Sequence, residues 1–258
     1  MKYSIVTGAA SGMGRCYALQ LAEKGYGAIL VDINGEAAQA LSEQIQEQFG
    51  VPAPVLQMDL TEPNAAEQIV KKCQEEGWQV EVLINNAGML ITSTIEETEP
   101  EQLRRIIALH QTTPLLLCQA FVPLMKGWGK GYILNISSIS AWMEWPVIGI
   151  YGSTKRFVKG YSQELRIECK GSPVGVTTAI FGAVDTPLLG KLPESWRKGM
   201  KRLGLIISPE KATKKALRTM FKGKAQLVPT LSDRLAIMFC PLLPNWLLSA
   251  LMKRIKLE

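Results

Sequence analysis

The chain is 258 residues long, 47% apolar, and carries a formal net charge of +6. That length and apolar content allow one large α/β domain and exclude a disordered, fibrous or low-complexity chain. A single histidine and five scattered cysteines (Cys16, Cys73, Cys118, Cys169 and Cys240), none in a C-x-x-C pair, argue against a zinc site or a disulfide framework; no metal is expected, and the thiols are expected to be reduced and buried.

In chain order, YSIVT (3–7) and AILVD (28–32) are short apolar, β-branched runs bounded by glycine. Between them, residues 12–24 place Met13, Cys16, Tyr17, Leu19, Leu21 and Ala22 at largely helical spacing. PVLQMD (54–59), VEVLIN (80–85), GYILNIS (131–137) and VGVTTAIF (174–181) continue the strand series, and helices are predicted over 36–49, 62–76, 99–125 and 150–170. Apolar strands alternating with helices read as βαβ units around a buried parallel sheet. Right-handed crossovers make this an α/β, single-domain, Rossmann-like doubly wound fold with ligands at the carboxyl ends of its strands. No linker or repeat divides residues 1–258. The first apolar run is too short for a secretory signal, so a cytoplasmic location is expected.

TGAASGMG (7–14) joins the first strand to the first helix. Gly8 permits the tight exit, Gly12 lets backbone approach a pyrophosphate, and Gly14 allows close helix–strand packing, while the helix N-terminus offers free N–H groups to phosphate. An acid, Asp32, closes the second strand, which strengthens the dinucleotide reading. Tyr151 and Lys155 stand four apart at a helix start and share one face. A nearby ammonium favours phenolate, which predicts a lowered Tyr151 pKa and a role in proton transfer; Ser138 can stabilise charge on a substrate oxygen.

The G-x-x-x-G-x-G spacing, NNAG (85–88), Ser138 in NISS (135–138), YGSTK (151–155) and FGAVDT (181–186) follow one another in a pattern that resembles the short-chain dehydrogenase/reductase family over residues 3–186. Phe181 departs from the proline of that family's P-G-x-x-x-T segment. The resemblance implies catalysis by Ser138, Tyr151 and Lys155, with Tyr151 protonating a carbonyl oxygen as hydride reaches its carbon and Lys155 also binding the nicotinamide ribose. It implies a cofactor site made of Gly8, Ser11, Gly12, Met13, Gly14, Asp32, Ile33, Asp59, Leu60, Asn86, Ala87, Gly88, Ile136, Tyr151, Lys155, Gly182, Val184 and Thr186. Asp59 would meet the adenine amino group and Asn86 the adenosine ribose. An acid at 32, with Ile33 and Ser11 where NADP-preferring members place Arg or Lys, implies NAD(H) over NADP(H). Arg15 reads as a helix-surface charge.

His110, in LRRIIALHQTTP (103–114), falls where the family has an asparagine that holds a water in a proton relay. An imidazole can also bond a water, so His110 is expected to be a catalytic relay member; a structural role is the alternative.

Trp142, Met143 and Trp145 in the 139–150 loop, and Leu188, Leu189, Leu192 and Trp196 in a lid over 187–205, suit a hydrophobic substrate. Ser138, Trp142, Trp145, Leu188, Leu189 and Trp196 are the expected substrate contacts. GYILNISSIS (131–140), IYGSTKRFVKGYSQEL (150–165), SPEKATKKALRTM (208–220) and LLPNWLLSALM (242–252) are similar to the 3-oxoacyl-CoA reductase and 17β-hydroxysteroid dehydrogenase branch. The resemblance implies a 3-oxoacyl thioester, with a steroid or bile-acid hydroxysteroid dehydrogenase and a non-catalytic dinucleotide-binding regulator as alternatives. Family members pair through the helices at 99–125 and 150–170, so a homodimer or homotetramer is expected.

Residues 191–258 carry 15 Lys/Arg against 4 Asp/Glu, so the excess positive charge lies in the last quarter of the chain. The tail, 231–258, is apolar and ends in Lys253, Arg254 and Lys256; Pro241, Pro244 and Asn245 interrupt it, so no spanning helix is expected. Two readings stay open for it: peripheral contact with the inner face of a membrane or an acidic carrier, and packing on the pocket or a second subunit. No nucleic-acid-binding module is recognisable.

Overall fold

The computed structural model describes residues 1–144, 148–192, 194–244 and 246. Its first half is β1 (Lys2–Thr7), α1 (Gly12–Ala22), β2 (Gly27–Asp32), α2 (Gly35–Phe49), β3 (Val55–Gln57), α3 (Ala65–Glu75) and β4 (Gln79–Asn85). A long helical run follows, α4 (Pro100–Ile107) and α5 (Thr113–Gly127) joined by a π-helical turn, Ala108–Thr112. Then come β5 (Gly131–Ser138), α6 (Gly149–Glu168), β6 (Val174–Phe181), β7 (Ala183–Val184), α7 (Glu194–Arg202), β8 (Ile206–Ile207), α8 (Pro209–Phe221), β9 (Gln226–Leu227) and α9 (Leu231–Phe239).

Seven strands form one parallel sheet in the order β3-β2-β1-β4-β5-β6-β9, and β7 pairs with β8 apart from it. The order runs outward in both directions from β1 and β4. Successive crossovers therefore depart to opposite sides, and the carboxyl ends of these two strands border a crevice.

The alternation of strand side chains splits the core into two layers. Val6, Leu30, Ile84 and Leu134 face one side, where Tyr17 and Leu21 of α1 and Ala216 and Met220 of α8 pack. Ile5, Ile29, Leu83 and Ile133 face the other, against Ile69 of α3 and Leu117, Phe121 and Met125 of α5. Each large side chain so buried contributes about 1.5–3 kcal/mol, which is why these strands are continuous apolar runs.

The predicted strands and helices appear, with the 54–59 strand reduced to three residues and the 99–125 helix widened by the π turn. The Pro100–Gly127 run has the length and hydropathy of a membrane span, yet Leu117, Cys118, Phe121 and Met125 are buried on the sheet. All five cysteines are free, four of them buried. In the tail, α9 leads to a 3₁₀ turn, Cys240–Leu242, and Leu235, Met238, Phe239, Leu242 and Trp246 stand exposed. Lys253, Arg254 and Lys256 lie outside the described residues.

At the amino end of the sheet the buried Glu81 carboxylate receives Lys2 Nζ at 2.5 Å, Lys130 Nζ at 3.0 Å and the Tyr26 hydroxyl at 2.8 Å. Burial pushes its pKa up, but these donors hold it below the ordinary glutamate value. A depressed folded-state pKa adds stability above the unfolded value and loses it as pH falls through the folded one. Glu81→Gln is therefore expected to cost about 2 kcal/mol at pH 7, with the gap from wild type closing below about pH 4. Urea unfolding at the two pH values checks this; a gap of constant size would contradict it.

Candidate active site

The turn after β1 is shaped by glycine. Gly8 and Gly12 have φ of 64° and 52°, and an ideal Cβ on Gly14 would lie 1.8 Å from the Gly8 carbonyl oxygen. Gly8 and Ala9 donate to Val31 O, and Ala10 N donates to Asp32 Oδ2 at 2.8 Å, tying the turn to β2. On the other side Asn86 Nδ2 donates to Thr7 O at 2.9 Å and Gly8 O at 3.2 Å, while Thr7 Oγ1 accepts from the backbone of Asn86 and Ala87. No side chain caps α1, whereas Asn34, Ser208 and Thr230 cap α2, α8 and α9. The uncapped N-terminus opens on the crevice at Ser11, Gly12 and Met13, a donor cradle that fits a pyrophosphate.

Asp32 ends β2, its other oxygen accepting from Asn34 N at 2.9 Å, and Ile33 beside it is exposed. Asp59 sits one loop away, bonded by Thr61 and by Arg105 Nη2 at 2.8 Å. Burial pushes its pKa up, but these donors together lower it. Leu60 is buried, its carbonyl accepting from Thr113 Oγ1. Arg15 bonds Gln44 on the surface of α2.

Strand β5 delivers Ser138 and α6 delivers Tyr151 and Lys155 to the same place. Ser138 stands beside the Tyr151 phenol, where it works to lower the phenol's pKa, and its Oγ accepts from Ser140 N at 3.2 Å. Lys155 is buried, its Nζ donating to Ile136 O at 3.0 Å and standing 5.6 Å from the Tyr151 ring centre. Burial pushes Lys155 down to about 8 and Tyr151 up to about 12. The expected lowering of the Tyr151 pKa is not found in the protein alone. Desolvation of the phenol outweighs the opposing effect of Ser138, and the Lys155 ammonium stands over the ring face with its bond directed to Ile136 O.

His110 is 1% exposed and points inward from the π turn. Its Nε2 accepts from Met89 N at 3.0 Å, so the proton resides on Nδ1, which donates to Thr154 Oγ1 at 2.8 Å. Thr154 in turn donates to Tyr151 O at 2.8 Å, and the imidazole meets the Tyr151 ring edge-on at 5.7 Å. Burial, then the charge of Lys155, lowers its pKa well below the usual histidine value. Both ring nitrogens have protein partners and the accepting Nε2 makes the ring neutral, an arrangement that fits the structural alternative for His110. It braces the loop after β4 against the start of α6.

These groups border a cavity of about 330 Å³. Ser11, Gly12, Met13, Asn86, Gly88, Ile136, Gly182, Val184 and Thr186 line it with Ser138, Tyr151 and Lys155. Gly8, Asp32, Ile33, Asp59, Leu60 and Ala87, at or just beyond strand ends, do not, nor does Gly14 in the first turn of α1. Leu188, Leu189, Leu192 and Trp196 of the 187–205 segment also line the cavity, while Trp142 does not. Its ring lies 4.2 Å from Lys159 Nζ on the outside of α6, a cation–π contact that turns it away. Trp145 lies outside the described residues. Sequence reasoning missed Met200, one helical turn after Trp196 on α7, and Leu90 just after NNAG. The W-x-x-x-M spacing in a charged helix was the available signal for the former.

The short chain dehydrogenase family model matches residues 2–196. The chain belongs to the short-chain dehydrogenase/reductase family and is an oxidoreductase. It is 28% identical over 207 residues to human 17-beta-hydroxysteroid dehydrogenase type 3, a match covering 76% of this chain and 66% of that protein; the chain thus spans about two thirds of that relative's length. A short-chain dehydrogenase from Sphingobium yanoikuyae in complex with NADPH superposes with a TM-score of 0.81 at 27% identity, covering 100% of this chain and 97% of that one. The fold is also that of a 3-ketoacyl-(acyl-carrier-protein) reductase from Brucella melitensis complexed with NADH, with a TM-score of 0.77, 24% identity, and coverage of 85% and 90%.

His110→Ala unpairs the buried Met89 N–H and is expected to destabilise the protein by about 1–3 kcal/mol. In the wild type, the imidazole NMR shifts are expected to stay constant from about pH 5.5 to 8. A titration centred near the ordinary histidine value would refute the neutral, doubly bonded ring.

Proposed function

We propose that the cleft binds NAD(H) and interconverts a secondary alcohol and a ketone on a hydrophobic substrate, with a 3-oxoacyl thioester as the leading class. The reading is carried by the meeting of Ser138, Tyr151 and Lys155 in one cavity that Leu188, Leu189, Leu192, Trp196 and Met200 also line. The free N–H groups at the start of α1 would hold the pyrophosphate, Asp32 the adenosine ribose, Asp59 and Leu60 the adenine, and Lys155 the nicotinamide ribose. Gly182, Val184 and Thr186 would border the nicotinamide. When bound, that ring supplies or accepts hydride at the substrate carbon.

Ser138 donates to the substrate oxygen and Tyr151 transfers its proton there in the reductive direction. A phenol held at about 12 keeps its proton at neutral pH, which suits a general acid. The Lys155 ammonium favours proton release from it, and that cation is lost as pH rises through about 8. Asp32 repels a 2′-phosphate, and the exposed Ile33 offers it no cation, which supports NAD(H) over NADP(H).

The basic side chains of α7, Arg197, Lys198, Lys201 and Arg202, share a helix with Trp196 and Met200, and a cationic rim suits a thioester on a phosphorylated carrier. A hydroxysteroid substrate is the second reading, favoured by the likeness to 17-beta-hydroxysteroid dehydrogenase type 3. Exposed Ile107, Leu115, Phe157 and Ile167 on α4, α5 and α6 support a homodimer or homotetramer paired through those helices. Exposed Leu235, Met238, Phe239 and Leu242, with the basic last quarter, support peripheral contact with an anionic membrane.

Oxidation of NADH and NADPH is to be followed with 3-oxoacyl thioesters, 3-ketosteroids and 17-ketosteroids. NADH is expected to serve, reduction to weaken above about pH 8 as Lys155 loses its charge, and Tyr151→Phe to cost at least about 10²-fold in kcat. Preference for NADPH would reject the cofactor choice. Full activity in Tyr151→Phe would reject the proton donor, and NADH binding with no turnover of any substrate would favour a regulator.

A further inference from the structure

We infer that Asp233 is a positioning residue for the 181–186 segment, holding the backbone of Gly182 from behind where it borders the cleft; the assignment rests on the nicotinamide reading of that cleft. Asp233 stands in the first turn of α9 and is only 5% exposed. Thr230 caps this helix, its Oγ1 accepting from Asp233 N at 3.0 Å. The T-x-x-D pattern explains an acid near the helix start, because a carboxylate there favours the dipole and returns a bond to the cap. A cap, however, needs no burial and no contact with a distant strand.

Asp233 makes that contact. An ideal Cβ on Gly182 would lie 2.1 Å from Asp233 Oδ1 and 2.9 Å from its Cγ, so the carboxylate occupies the space a side chain at 182 would need. The backbone amide of Gly182 faces the same carboxylate and works against the effect of burial on its pKa. Among the described residues no cation pairs with Asp233, and burial raises its pKa. A buried carboxylate with no counter-ion is costly unless neutral dipoles stand against it, and the groups set against this one are the Gly182 backbone and the Thr230 side chain.

The chain's own sequence supplies the reason for a clamp. The segment opens with Phe181 where the resembling pattern has proline, and phenylalanine lacks the ring that fixes φ. With no proline to set the bend, the path of Gly182, Ala183 and Val184 along the cleft is set by an anchor from α9. The same helix packs against the 3₁₀ turn Ile139–Ala141 that follows Ser138, so one element backs both edges of the site.

The test compares Asp233→Ala, which removes the acceptor, with Asp233→Asn, which keeps one. NADH binding is to be read by fluorescence, kcat and KM by turnover, and folding by thermal melting. Asp233→Ala is expected to weaken NADH binding and raise its KM at least about tenfold, with a smaller change in kcat, and Asp233→Asn to stay within about threefold of wild type. Gly182→Ala puts a methyl where the carboxylate sits and leaves the α9 cap intact; it is expected to reproduce the defect and decides the matter if Asp233→Ala does not fold. A folded Asp233→Ala protein with wild-type NADH binding overturns the assignment, as does an Asn variant as impaired as the Ala variant. If the wild type itself does not bind NADH, the cofactor reading fails first and the assignment falls with it.

Discussion

The closest backbone approach in the site lies where α1 leaves β1. Gly14 has no room for a Cβ beside the Gly8 carbonyl, so the helix starts in contact with the strand end rather than a loop's width away. That approach aims the uncapped N–H groups of α1 into the crevice between β1 and β4. The crevice keeps its width because the Thr7 and Asn86 side chains stitch the two strand ends through four hydrogen bonds of 2.9, 2.9, 3.0 and 3.2 Å, each between a side chain and backbone. Every other group in the site is placed relative to this seam. Asp32 is tied to the turn through Ala10, and the loop carrying Gly88 and Met89 continues directly from Asn86.

On the other side of the crevice, burial decides the electrostatics. Tyr151 and Lys155 are both pushed toward their uncharged forms, to about 12 and about 8, so the protein alone stores no phenolate. A charged His110 beside them would compete with Lys155, and the structure removes that competition by spending both imidazole nitrogens on Met89 and Thr154. The bonded, neutral ring lets Lys155 remain the cation nearest Tyr151, while Thr154 passes the bracing on to the Tyr151 carbonyl. The two bonds fit the structural alternative for this histidine, and burial works against a second proton on its ring.

These particulars explain which parts of the site were legible in the sequence. The central strands are buried on both faces, so they had to be continuous apolar runs, and Gly8, Gly12, Gly14, Asp32, Ser138, Tyr151 and Lys155 follow from their spacing along those runs. The role of His110 could not be read this way, because its two bonds reach residues 21 and 44 positions away. Trp142 looked like a pocket residue by composition, but a neighbouring lysine on α6 offered its ring a better partner outside. Asp233 was hidden for a different reason: a helix cap accounts for an acid at that position, and only the packing of α9 on Gly182 shows what else it touches.

The basic last quarter divides along similar lines. On α8, Ala212, Ala216, Leu217 and Met220 are buried against α1 and the sheet, and Lys211, Lys214, Lys215 and Arg218 fall on the opposite, exposed face. Those charges are the solvated side of an amphipathic helix and require no ligand. The charges of α7 are placed differently. Two of its residues, Trp196 and Met200, line the cleft rather than a core, and Arg197, Lys198, Lys201 and Arg202 share that helix. Lys198 is offset by Glu194 one turn earlier. The two helices thus use similar compositions differently: α8 buries its apolar face on the core, and α7 gives Trp196 and Met200 to the cleft.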